Sequence, residues 1–74
     1  MSELTQTQFD ALVKLLRADR RSNRYKIALQ VMVNSVEIAE AARLVGTSYN
    51  AAHQAVKGYR NGLELAKIAA GITN

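Results

Sequence analysis

The stretch VEIAEAARLVGTSYNAAHQAVKGY, from Val36 to Tyr59, decides how this chain is read. It has the pattern of two short helices joined by a tight turn at Val45-Gly46-Thr47-Ser48, a helix-turn-helix. The second of these helices divides its residues cleanly. With Tyr49 at zero and 100° per residue, His53 falls at about 40°, Lys57 at about 80°, Asn50 at about 100° and Gln54 at about 140°. Ala51, Ala55, Tyr59, Ala52 and Val56 fill the other half, from about 200° to about 340°. One half is small and apolar and suits packing. The other carries hydrogen-bonding groups and a cation but no acid, which suits the base edges of a polyanion.

The small residues have a steric reason. Two helices that cross closely need Ala42 on the first and Ala52 and Ala55 on the second, while Gly46 relieves the turn. Ile38, Val45 and Val56 can fill the little core between them.

Working outward, Thr5 or Thr7 can cap a first helix, and Thr5 with Gln8 has capping-box spacing. Phe9, Leu12, Val13 and Leu16 then recur at i, i+3, i+4 and i+7, one buried stripe of a helix expected to end near Arg20 or Arg21. Ser22 or Asn23 can cap a second helix with Tyr25, Ala28, Leu29 and Met32 inside. Ser35 is the expected cap of the third helix, which buries Ile38, Ala41, Ala42 and Val45. Ser48 or Thr47 caps the fourth. From Asn61 to about Ala70 the chain is helical again, and Gly58 and Gly62 either separate this segment from the fourth helix or merely weaken one longer helix. Leu63, Ala66 and Ala70 share one face of it; Leu65, Ile68, Ala69 and Ile72 share another. One face can pack on its own domain. The other fits either a second copy of the chain or a deep seat in its own core.

The whole is expected to be a single all-α domain over residues 1–74, a bundle of four or five helices. The absence of proline and the abundance of alanine favour that class. A chain this short buries about 60–65% of its unfolded surface, so stability is modest. With no cysteine, neither disulfides nor thiolate metal sites add to it, and oligomerisation is a common substitute. No apolar run approaches the roughly 20 residues that span a membrane. MSELTQTQFD lacks the basic start and apolar centre of a signal peptide, so a cytoplasmic location, associated with nucleoid or plasmid, is expected. The net charge of +4 suits an anionic partner.

Leu4-Thr5, Gln8-Phe9, Gly46, Ala51 and Gln54-Ala55-Val56 resemble the plasmid KorA/TrfB-type transcriptional repressors. The resemblance covers roughly residues 4–60. It implies a homodimeric repressor that binds a palindromic operator and controls plasmid maintenance or transfer genes. Better-known members carry an extra C-terminal dimerisation region, for which this chain has little room.

On geometry and resemblance together, the recognition helix runs from about Ser48 to Gly58. Asn50 and Gln54 are amides able to pair bidentately with adenine, His53 can donate to guanine N7, and Lys57 can reach guanine or a flanking phosphate. Thr47 and Ser48 suit a cap or a phosphate contact. Tyr49, at the border of the two halves, is expected to cover the edge of the core more than to touch DNA. A basic cluster at Lys14, Arg17, Arg20, Arg21, Arg24 and Lys26 is opposed by Asp19 alone. It suits phosphate contact, which adds affinity without sequence preference. Arg20 and Arg21 equally suit the negative end of a helix dipole; Arg24 and Lys26, at the start of the next helix, run against it. Leu65, Ile68, Ala69 and Ile72 are the expected dimer contact.

An enzyme is not expected. With a single histidine and no cysteine, a nucleophile would have to be Ser48, which lies about 140° around the helix from His53. No second metal ligand stands three or four residues from His53, so neither metal nor cofactor is expected. Nor does the sequence disclose a small-molecule ligand or an inducer pocket. The competing reading is a small helical protein-interaction module, an inhibitor or adaptor of a plasmid or phage system. Its principal surface would be the C-terminal apolar stripe.

Overall fold

The computed structural model describes residues 2–71. Four helices follow one another: α1 (Gln6–Leu16), α2 (Asn23–Met32), α3 (Ile38–Val45) and α4 (Tyr49–Ala69), with no strand among the described residues. The protein is therefore a small all-helical bundle. Ile72 lies outside the described residues.

Local chemistry sets most boundaries. Thr5 and Gln8 form the expected capping box: the Gln8 N–H donates to Thr5 Oγ1 at 3.1 Å and the Thr5 N–H to Gln8 Oε1 at 2.9 Å. The α1 helix stops at Leu16, short of Arg20, because Arg17 turns left-handed at φ 53°. Asp19 then organises a turn, its Oδ1 accepting from the Arg21 N–H at 2.9 Å and its carbonyl accepting from Ser22 Oγ at 2.8 Å. Arg20 and Arg21 consequently sit in that turn and not on a helix end, which removes the dipole explanation for them. Ser22 caps α2 through the Tyr25 N–H.

One other expectation is corrected. Ser35 does not cap α3; it takes a left-handed φ of 60°, and Glu37 precedes the helix without a side-chain cap bond. Of the two alternatives for the segment from Asn61, the structure takes the longer helix. One continuous 21-residue helix runs through Gly58 and Gly62, about 31 Å long at 1.5 Å per residue. Both glycines are points of close approach. A β-carbon on Gly58 would lie 2.7 Å from Arg24 Nη2, and one on Gly62 would lie 2.7 and 2.8 Å from the Leu16 methyls. Their bare backbones let the end of α1 and the start of α2 approach α4.

The interior has two compartments. Leu4, Phe9, Leu12, Val13, Ala28, Met32 and Tyr59 form one, with the Phe9 ring stacked on Tyr59 at 5.7 Å and tilted against Tyr25 at 5.6 Å. Ile27, Ala41, Ala42, Ala52, Ala55 and Val56 form the other, the core of the helix-turn-helix. The α2 helix feeds both. Ala28 and Met32 enter the first, as expected, with Tyr25 and Leu29 half-buried beside them. Ile27 enters the second, a role its sequence spacing did not single out.

Candidate nucleic-acid interface

The turn forms as its residues require. Gly46 ends α3 at φ 83°, its N–H donating to the Ala42 carbonyl at 2.9 Å, and the Thr47 N–H donates to the same oxygen at 2.9 Å. Ser48 is the α4 cap, its Oγ accepting from the Ala51 N–H at 3.1 Å. Ala52, Ala55 and Val56 are fully buried against α3 and α2. Small side chains here set the crossing distance.

That seat turns Asn50, His53, Gln54 and Lys57 outward, all exposed. Ala51, placed on the apolar half of the helix by angle, is exposed as well, so the buried stripe is narrower than the sequence implied. Tyr49 does not cover the core. It is 55% exposed and belongs to neither core cluster, and its ring lies 6.1 Å from the His53 ring at 27°, extending the outward face. Because α4 is unbroken, Asn61 falls at about 120° on the wheel used above and continues the row Asn50, Gln54, Lys57. Nothing before the continuity of α4 pointed to Asn61. From residue 49 to 61 the helix carries no acidic residue.

Of the cations, Arg24 lies against α4, at Gly58. Arg20, Arg21, Arg24 and Lys26 are all exposed. Arg24 and Lys26 occupy the first turns of α2, where the dipole opposes them and no acidic residue compensates. Among the described residues the ion pairs are Arg21–Asp19 at 3.6 Å, Arg43–Glu40, and Arg60–Glu3 at 2.6 Å. Glu3 grips Arg60 with both carboxylate oxygens, fastening the N-terminal segment to α4 and holding that guanidinium's pKa above its usual value. Arg24 has no such partner and lies across the Gly58 backbone.

Further down α4, Leu65 and Ile68 are 66% and 57% exposed, and Ala69 is exposed beside them. Leu63 packs instead on the first core compartment. Among the described residues no group of three acidic or histidine side chains could hold a metal ion, and no helix is long and apolar enough to cross a membrane. The chain matches no family model, no curated protein and no solved structure.

Proposed function

We propose that this protein is a sequence-specific double-stranded DNA-binding repressor, acting as a homodimer on a palindromic operator of plasmid origin. The observation that carries this reading is the outward row of Asn50, His53, Gln54, Lys57 and Asn61 on a capped, acid-free stretch of α4, held against α3 by an alanine core. Amide and imidazole groups in this row suit base edges, whereas Arg20, Arg21, Arg24 and Lys26 suit the phosphates. Occupying a promoter would exclude polymerase.

One such helix reads only half a site, and the exposed Leu65, Ile68 and Ala69 suit the contact with a second copy. On an ideal helix their stripe is centred about 57° around from the reading residues, with Ile68 at the same angle as Asn50, and the buried stripe lies about 137° further on. DNA and partner are thus separated mainly along α4, and both lie away from the side that packs on the body. The centres of the reading and apolar stretches are about 12 residues apart, roughly 18.5 Å. Two α4 helices crossing antiparallel at the apolar stretch would set their reading stretches about 37 Å apart. Inclined by about 50°, an ordinary packing angle, the separation falls to about 34 Å, one turn of B-DNA.

The test is selection from a random duplex pool followed by titration of the selected and a scrambled duplex across salt. An inverted repeat with half-site centres one turn apart is expected. Equal affinity for both duplexes would sink sequence-specific reading. The protein-interaction module draws on the same exposed Leu65 and Ile68; it predicts a monomer indifferent to duplex DNA, which sedimentation with and without DNA distinguishes.

A further inference from the structure

The end of α1, the Asp19 turn, the start of α2 and the middle of α4 border an open pocket of about 380 Å³, lined by Leu16, Ala18, Asp19, Ser22, Arg24, Gly58 and Tyr59. Its size is at the lower end of small-molecule sites. Among the described residues two of its wall side chains have polar groups without a partner. The Tyr59 hydroxyl is buried and makes no hydrogen bond. Arg24 is exposed and paired with no carboxylate, and its Nη2 lies over the Gly58 backbone. An unsatisfied hydroxyl at this depth is costly, and native structures leave few of them. Burial raises the Tyr59 pKa, and the positive charge of Arg24 opposes the rise.

The remaining walls define what fits. Leu16, Ala18 and the Tyr59 ring are apolar, so the site takes a molecule with an apolar body. Arg24 offers the two parallel N–H donors that match a carboxylate. The Asp19 carboxylate stands in the same pocket and disfavours a second negative charge. We infer that this pocket is a binding site for a small organic monocarboxylate, whose carboxylate is held by Arg24 and the Tyr59 hydroxyl and whose apolar body rests on Leu16 and Ala18.

Gly58 belongs to the reading stretch of α4, and Arg24 is among the cations assigned to DNA phosphate. A carboxylate bound between them neutralises Arg24 and competes with the phosphate. The ligand is therefore an inducer that lowers DNA affinity. That regulatory half rests on the DNA-binding reading above; the site itself does not.

The experiment is an amide NMR titration of the full chain with 2-naphthoate, 2-naphthamide and inorganic phosphate. Saturable shifts at Ser22 and Gly58 are expected with 2-naphthoate, with the amide and phosphate at least tenfold weaker. Arg24→Gln should weaken 2-naphthoate by at least tenfold. Tyr59→Phe, which keeps the ring stacked on Phe9, should weaken it several-fold. Shifts with none of the three probes mean that the pocket holds only water and overturn the site. Equal binding of acid and amide, or of phosphate, overturns the assigned chemistry. Gel shifts with the selected duplex then read the regulatory half: 2-naphthoate should weaken DNA binding by wild type, and by Tyr59→Phe only at several-fold higher concentration. Ligand binding without that effect overturns induction alone, and failure to bind any duplex overturns the DNA reading while leaving the site intact.

Discussion

Arg24 and Gly58 are in such close register that a β-carbon on the glycine would stand 2.7 Å from Arg24 Nη2. The α2 cation thus lies across the helix that faces outward, and the absence of one side chain is what admits it.

Gly58→Ala gains about 1 kcal/mol of helix propensity, and the clash falls on the free end of an exposed side chain that can swing aside. Thermal unfolding should rise by roughly 4–8 °C. Gly62→Ala should not, because its β-carbon meets both Leu16 methyls and the Leu16 Cγ at 3.3 Å. Moving that side chain disturbs the packing of α1 on α4 and cancels the gain. In Gly58→Ala the displaced guanidinium should also lose 2-naphthoate, read by the same NMR titration.

Substitution of the outward row and of the cations should separate in binding assays. Gln54→Ala or Asn50→Ala should cost about 1–3 kcal/mol on the selected duplex and little on a scrambled one. Arg24→Gln should weaken both duplexes alike and flatten the salt dependence by about one unit of log–log slope. Asn61→Ala is expected to behave like Gln54→Ala. If it weakens both duplexes equally, the reading row ends at Lys57.

Tyr59 couples stability to alkaline pH. Burial raises its pKa in the folded state above the ordinary value of about 10. Above pH 10 the unfolded chain loses this proton first, so the folded state holds more protons and stability falls as pH rises. The contribution is complete below pH 10 and is lost through the folded-state pKa. Tyr59→Phe should remove this part of the alkaline slope in urea titrations. At neutral pH the variant should be more stable than wild type by about 1 kcal/mol, since an unpartnered hydroxyl disappears.

Ile68→Asp should give a monomer in sedimentation without altering the helical circular dichroism, because Ile68 is more than half exposed. Its affinity for a two-half-site duplex should fall steeply, and that for a single half-site should not. The chain has no cysteine, so Ile68→Cys supplies a clean cross-linking probe of the same contact.

Much of the fold was legible because local chemistry and burial agree. The Thr5–Gln8 box, the Ser22 and Ser48 caps and the Gly46 stop are all side-chain or φ requirements written into single residues. The helix-turn-helix core follows from alanine spacing, and the outward position of Asn50, His53, Gln54 and Lys57 follows from that core. What was not legible depends on distant partners. In isolation Gly58 and Gly62 leave a break and a weakened helix equally open, and the close approach of Arg24 and Leu16 that their bare backbones admit involves residues far away in sequence. Ile27 is buried because α2 has neighbours on two sides. The pocket beside Tyr59 has no sequence signature, since two stretches far apart in the chain, residues 16–24 and 58–59, build its walls.

The unbroken course of α4 also restricts how this chain can change. Deleting or inserting one residue between Lys57 and Leu65 would turn one half against the other by about 100° and shift it by about 1.5 Å. Length changes there are tolerable only when they restore the phase, near multiples of seven or eleven residues. Substitutions on the outward row face no such restriction, because none of those side chains contributes to either core. Divergence in this helix is therefore confined to residue identity, with its length held constant by geometry.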